Sequence, residues 1–225
     1  MPTLKIDGRW ARMLLLPALL AGGASAAGAQ DHPTPEALRA TYAMAACMVK
    51  DSPAQARRML AYAPGSQESL RAFFAAQPGN CLSEGSDGED DALRLEGPFQ
   101  RGAVAEYLLL RDFSAIGVPK GKIGPVFVLP GPAEVAKFKP WAQQILAGLA
   151  VAECVVRAEP RKSFAVFGTR VESPEEKAAL TALLPAVDRC VPAGRGIDME
   201  MASLRALLGE AAYRVSVQLT RKAAE

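Results

Sequence analysis

The chain has 225 residues, half of them apolar, with 26 Lys and Arg against 24 Asp and Glu. Three of those cations and one anion lie in residues 1–29, so the remainder carries 23 basic and 23 acidic side chains. That balance argues against a phosphate-tracking surface, and hence against nucleic acid as a partner. A single histidine, His32, leaves little room for histidine-based catalysis or a zinc site.

Residues 1–29 read as a signal peptide. Lys5, Arg9 and Arg12 form a basic start, and Met13 to Ala21 is a short apolar core interrupted by Pro17. Ala27-Gly28-Ala29 offers a small-residue cleavage site, with Ala24-Ser25-Ala26 as the alternative. The apolar run is shorter than the ~20 residues a membrane span needs, so no integral span is expected after cleavage. The expected location is the periplasm or the exterior.

A first helical unit is expected over 30–112. Thr34-Pro35-Glu36 supplies an N-cap, a proline at the first helical position and an acid in the first turn, for a helix to about Val49. Ser52-Pro53-Ala54-Gln55 reads as a capping box for a short second helix that ends before Pro64-Gly65. Ser66 opens a third, with Leu70, Phe73 and Phe74 on its apolar side, stopped at Pro78-Gly79. Residues 83–91 are Gly, Ser and acids, the composition of a surface loop. Pro98 starts a fourth helix carrying Arg101 and Glu106.

Residues 113–139 form a Pro- and Gly-rich connector, with a short strand at Val126-Phe127-Val128-Leu129 and one helical turn or more over 132–139. A second helical unit is expected over 140–225, with helices near 141–157, 161–168, 174–188 and 201–221. In the last of these, Leu204, Leu207, Leu208, Ala211 and Val215 make one apolar face.

The two units resemble each other. Tyr42 to Lys50 aligns with Leu149 to Arg157, each a small-residue helical face holding a cysteine and closed by two apolar residues and a cation. Pro53 matches Pro160, Ser66 matches Ser173, and second cysteines follow at Cys81-Leu82 and Cys190-Val191. Leu93 to Glu96 aligns with Ile197 to Glu200. Arg101-Gly102-Ala103-Val104-Ala105-Glu106 then aligns with Arg205-Ala206-Leu207-Leu208-Gly209-Glu210. A self-match half the chain long is the mark of a duplicated unit. The fold class expected is therefore all-α: two pseudo-repeated four-helix units, packed as one domain.

This pattern resembles a group of exported bacterial proteins of unknown function, in which Cys-to-Cys helical units precede an Arg-Gly-x-x-Ala-Glu helix. The resemblance covers most of the chain after residue 33 and implies a helical fold and export, without bringing an activity. Ala206 and Gly209 depart from the group's pattern, which puts the close-packing surface of the last helix in question.

Four cysteines in an oxidising compartment read as disulfides, for which three connectivities exist. The duplication favours Cys47–Cys81 and Cys154–Cys190, each tying the first helix of a unit to the end of the third. No Cys-x-x-Cys and no histidine beside a cysteine points to redox or metal chemistry. Arg101 and Glu106 sit about 140° apart on one helix, as do Arg205 and Glu210, so each is expected to pair with a group on another helix or in the other unit. A ligand-binding arginine in each half is the functional alternative. Asp87-Gly88-Glu89-Asp90-Asp91 lacks the final glutamate and glycine position of an EF-hand loop. Lys120-Gly121-Lys122-Ile123-Gly124 lacks the phosphate-loop spacing. No catalytic residue, cofactor or metal is assigned. The reading is a non-enzymatic periplasmic scaffold or binding protein, with a groove between the units for a small apolar ligand or peptide. The alternatives are a carboxylate and arginine enzyme in that groove, or a subunit of an envelope complex.

Overall fold

A computed structural model describes residues 33–76, 81, 98–113, 121, 123–127, 140–192 and 199–224. The signal peptide expected over 1–29, His32, the acidic loop expected at 83–91 and the helical turn expected over 132–139 lie outside the described residues. Those described form an all-α fold: α1 Pro35–Asp51, α2 Pro53–Ala61, α3 Gln67–Ala76, α4 Pro98–Phe113, α5 Pro140–Ala158, α6 Pro160–Phe167, α7 Pro174–Thr181, α8 Leu184–Cys190 and α9 Met201–Ala224.

Prolines set most of the boundaries. Pro53 and Pro160 have no N–H to continue α1 and α5, so each helix ends and a new one starts within two residues. Thr34, Ser66 and Ser173 cap α1, α3 and α7, their hydroxyls accepting from Ala37, Ser69 and Glu176 N–H. Ser52 forms no such cap. Its backbone N–H bonds the Met48 carbonyl instead, closing α1, so the capping box expected at Ser52–Gln55 does not form. The single helix expected over 174–188 is broken into α7 and α8. Pro185 cannot donate, and its ring would strike the carbonyl four residues back, at Thr181.

The two helices that carry the repeated Arg and Glu form the centre. Every residue of α4 from Arg101 to Glu106 is buried, as is every residue of α9 from Leu204 to Tyr213. Helices buried on all sides are core helices. They pack against each other along their length, with α1 against α4 and α5 against α9 on the flanks. One hydrophobic core runs through both halves, from Met48, Val49 and Met59 through Val104 and Leu108 to Leu149, Val155, Leu183 and Leu208.

Two expectations fail on detail. Leu70 and Phe74 were assigned to the apolar side of α3, yet they are 49% and 59% exposed while Ser69, Ala72, Phe73 and Ala76 face inward. In this rotation of α3 the Ser69 hydroxyl accepts from the buried Arg101 guanidinium while Ala72, Phe73 and Ala76 pack beneath the helix. The strand expected over 126–129 is also not formed where it is described: Val126 and Phe127 make a bend. Their N–H groups are taken by the carboxylate of Glu153 on α5, at 2.7–3.1 Å, which leaves no donor for a ladder.

Candidate functional site

Arg101 on α4 donates from Nε and Nη2 to the two carboxylate oxygens of Glu210 on α9, at 3.1 and 2.6 Å. Arg205 on α9 donates from Nε and Nη2 to Glu106 on α4, at 3.0 and 2.6 Å. Both pairs are bidentate, and all four residues are 2–6% exposed. The Arg and Glu of one helix therefore do not face each other; each reaches across to the other helix. Crossing at this distance needs small residues. A Cβ on Gly102 would collide with the backbone of Ala206, and one on Gly209 would come within 2.8 Å of the Gly102 carbonyl. Gly102 and Gly209 thus occupy the two places where the α4 and α9 backbones touch. The departure of Ala206 and Gly209 from the Gly-and-Ala order of α4 keeps the packing close, because Ala206 lies over a glycine.

The remaining donors of each guanidinium are used as well. Arg101 reaches the carbonyls of Met59 and Tyr62, at 3.0 and 3.2 Å, and the Ser69 hydroxyl. Arg205 reaches the Thr169 carbonyl at 3.1 Å, the Thr169 hydroxyl at 3.2 Å and the Glu176 carboxylate at 2.9 Å. The offset of 107 that separates Cys47 from Cys154 also separates Tyr62 from Thr169 and Ser69 from Glu176. Positions 107 apart therefore serve the two arginines at Tyr62 and Thr169 and at Ser69 and Glu176, with a hydroxyl in the first half and a carboxylate in the second, while Arg101 adds the Met59 carbonyl and Arg205 the Thr169 hydroxyl.

The electrostatics of the two ends differ accordingly. Burial would raise the Glu210 carboxyl, but Arg101 and Arg214 outweigh it and hold the group below the ordinary carboxylate value. Arg214 joins this end through Nη2, 3.0 Å from Glu210 and 3.2 Å from the Tyr62 carbonyl, with its guanidinium over the Phe127 ring. Burial raises Glu106 above the ordinary value despite Arg205, and the nearby Glu176 adds to the rise. Arg205 also lies over the Tyr42 ring, 5.2 Å from its centroid.

The cysteines pair as Cys47–Cys81 and Cys154–Cys190, with Cα atoms 5.6 and 5.8 Å apart. Among the described residues, one grouping has metal-ligand proximity: Cys47, Asp51 and Cys81. Both of its sulfurs are in the disulfide, so it offers no thiolate. No helix of the described residues is long and apolar enough to cross a membrane.

A cavity of about 350 Å³ lies beside the seam, between the connector, α5, α6 and α9. Ile123, Val156, Phe164, Val215 and Leu219 give it an apolar lining, and Arg157 and Ser216 give it a polar edge. Glu153 and Arg157, one turn apart on α5, hold the connector over it. Glu153 takes the Val126 and Phe127 N–H groups, while Arg157 donates to the Ile123 and Gly124 carbonyls at 3.1 and 2.7 Å. Gly121 adopts a φ of 142°, which a side chain would strain, and it closes on Leu219. The seam itself is filled by backbone contact and ion pairs. The cavity thus belongs to the connector and second half rather than to a groove between the units.

Sequence reasoning singled out the four seam residues and the four cysteines but not Glu176, Arg214, Glu153, Tyr42 or Ser69. The offset of 107 would have flagged Ser69 and Glu176 as facing positions once Arg101 and Arg205 were aligned. Compared with known protein families, curated proteins and solved structures, the chain matches none.

Proposed function

We propose that this chain is an exported, non-enzymatic helical protein of the periplasm, built from two copies of one Cys-to-Cys helical unit, that binds a small apolar ligand. The observation that carries the non-enzymatic reading is the closure of the seam. Arg101, Glu106, Arg205 and Glu210 are buried and bonded to one another, so the repeated acids and cations are turned away from any substrate. An enzyme needs such groups converging on an open site. Two disulfides fit an oxidising compartment. The reciprocal ion pairs and the constant offset of their partners favour duplication.

The ligand reading rests on the cavity beside the connector. Its volume lies at the low end of the ~300–1,000 Å³ of ligand pockets, and its few polar groups suit a small, mainly apolar molecule with one acceptor for Arg157. Titration of the mature protein with an environment-sensitive apolar fluorophore tests it. Saturable binding of one probe per chain is expected, lost when Leu219→Trp fills the cavity. Non-saturable binding, or equal binding to the filled variant, sinks the reading. The exposed Leu70 and Phe74 favour a second reading, a subunit of an envelope complex. That reading predicts recovery of a defined partner from the envelope fraction, lost in a Leu70→Ser, Phe74→Ser variant.

A further inference from the structure

The two ends of the seam carry unequal charge. At one end two guanidiniums, Arg101 and Arg214, surround one carboxylate, Glu210. At the other, one guanidinium, Arg205, bridges two carboxylates, Glu106 and Glu176. The latter three residues are at most 5% exposed, so water does little to spread the excess negative charge. Each packed element brings its own groups to this end. From α1 comes Tyr42, from α4 Tyr107, and from the turn before α7 come Thr169 and Glu172, whose surroundings include Arg39 and Glu36 further out. Arg101 and Arg214 are committed to Glu210. The buried Tyr42 hydroxyl lies beside Glu106 and Arg205.

We propose that Glu106, Arg205 and Glu176 form a proton-binding site, in which two buried carboxylates facing one guanidinium take up a single proton in mildly acidic surroundings and thereby make the docking of α7 on the seam pH-dependent. The proton is taken up at Glu106, whose carboxylate shares the Arg205 guanidinium with Glu176. The consequence falls on the turn before α7. Glu176 receives the backbone N–H of Glu172, which sits at a φ of 62° in the left-handed region that non-glycine residues avoid. When both carboxylates ionise, their repulsion bears on the contact that holds this turn in place.

The direction of the pH effect follows from Glu106. Its carboxyl is raised by burial, against Arg205 and with Glu176, so the folded protein binds a proton that the unfolded chain has released. The resulting stabilisation is full below the ordinary glutamate value of about 4.3 and is lost as pH rises through the higher folded value.

Infrared difference spectra of the folded mature protein test this directly, because a protonated carboxylic acid has a carbonyl stretch separate from that of a carboxylate. A protonated-acid band is expected to persist above about pH 5, where ordinary glutamates are ionised. It should move to lower pH in Glu176→Ser, which installs the residue of the first half, and vanish in Glu106→Gln. Denaturant unfolding of the wild type should show a folding constant that falls by up to about tenfold per pH unit through the same window. In Glu176→Ser that window should lie at lower pH. No such band in the wild type, a band that survives Glu106→Gln, or an unchanged pH profile in Glu176→Ser overturns the proposal. The wild-type spectrum decides the matter even if a variant does not fold.

Discussion

The Arg101–Glu210 and Arg205–Glu106 ends of the seam share a geometry and differ in what surrounds it. Both arginines make bidentate bonds across the α4–α9 crossing, and both satisfy backbone carbonyls at equivalent positions. The first end then adds a hydroxyl and a second cation, and the second adds a carboxylate. Identical ion pairs thus end up in opposite fields, with Glu210 held below the ordinary carboxylate value and Glu106 raised above it. Burial and the pair itself dominate at both ends, and the neighbours add to the difference in its response to pH.

Removing each arginine in turn is the sharpest way to test this difference. Arg205→Met leaves two buried carboxylates without a cation and is expected to cost ~3–5 kcal/mol, at the upper end of that range, in denaturant unfolding. Arg101→Met leaves Glu210 with Arg214 and should cost less. Equal losses would mean that the neighbours contribute nothing. Gly102→Ala tests the crossing rather than the charges. Its methyl meets the Ala206 backbone, which cannot turn aside as a side chain would, so a loss of at least ~1–3 kcal/mol and weakening of both ion pairs are expected.

Disulfide removal should not separate the halves, because the closed loops span 34 and 36 residues. Cys47→Ala with Cys81→Ala, and Cys154→Ala with Cys190→Ala, should each lower stability by ~3–4 kcal/mol in the chain-entropy account, with losses below that where the unfolded chain keeps structure. Access does separate them. Cys154 is exposed and Cys81 is buried, so limited reductant followed by thiol labelling should open Cys154–Cys190 first. The smallest effect belongs to a cap. Ser173→Ala removes the hydroxyl that accepts from the Glu176 N–H and should cost ~1 kcal/mol by thermal melting. A much larger loss would tie the cap to the buried charge beside it.

The pH arms of the comparison have opposite signs. Protonating Glu210 takes the charge from a group that burial alone would raise but that Arg101 and Arg214 hold low. Its contribution is therefore present at neutral pH and is lost as pH falls through its depressed folded value. Glu210→Gln should accordingly flatten the acid limb of the stability profile and leave the higher-pH window of Glu106 in place.

Several of these features were legible in the chain before any coordinates. Thr34, Ser66 and Ser173 marked helix starts because a capping hydroxyl acts within one turn. Pro53 and Pro160 marked breaks for an equally local reason. The cysteine pairing could be chosen among three connectivities because the spacings from Cys47 to Cys81 and from Cys154 to Cys190 are nearly equal, at 34 and 36 residues. Leu70 and Phe74 misled, since apolar character alone does not say which side of α3 turns inward when Ser69 has a buried partner. Val126 and Phe127 misled in the same way, their β-branched and aromatic character yielding to a carboxylate on α5.

Length, composition and residue order by themselves determined the all-α class, the helix boundaries at proline and serine, the repeat of its cysteines and the recurrence of an Arg and a Glu five residues apart. All of these arise from interactions that reach no further than a few residues or from similarity along the chain. Only the tertiary structure decided that Arg101 meets Glu210 and Arg205 meets Glu106, that Gly102 lets the two backbones touch, and that Glu176 stands where Ser69 would have balanced the charge. Those outcomes depend on which groups share a desolvated crossing, where burial strengthens every attraction and penalises every charge left over.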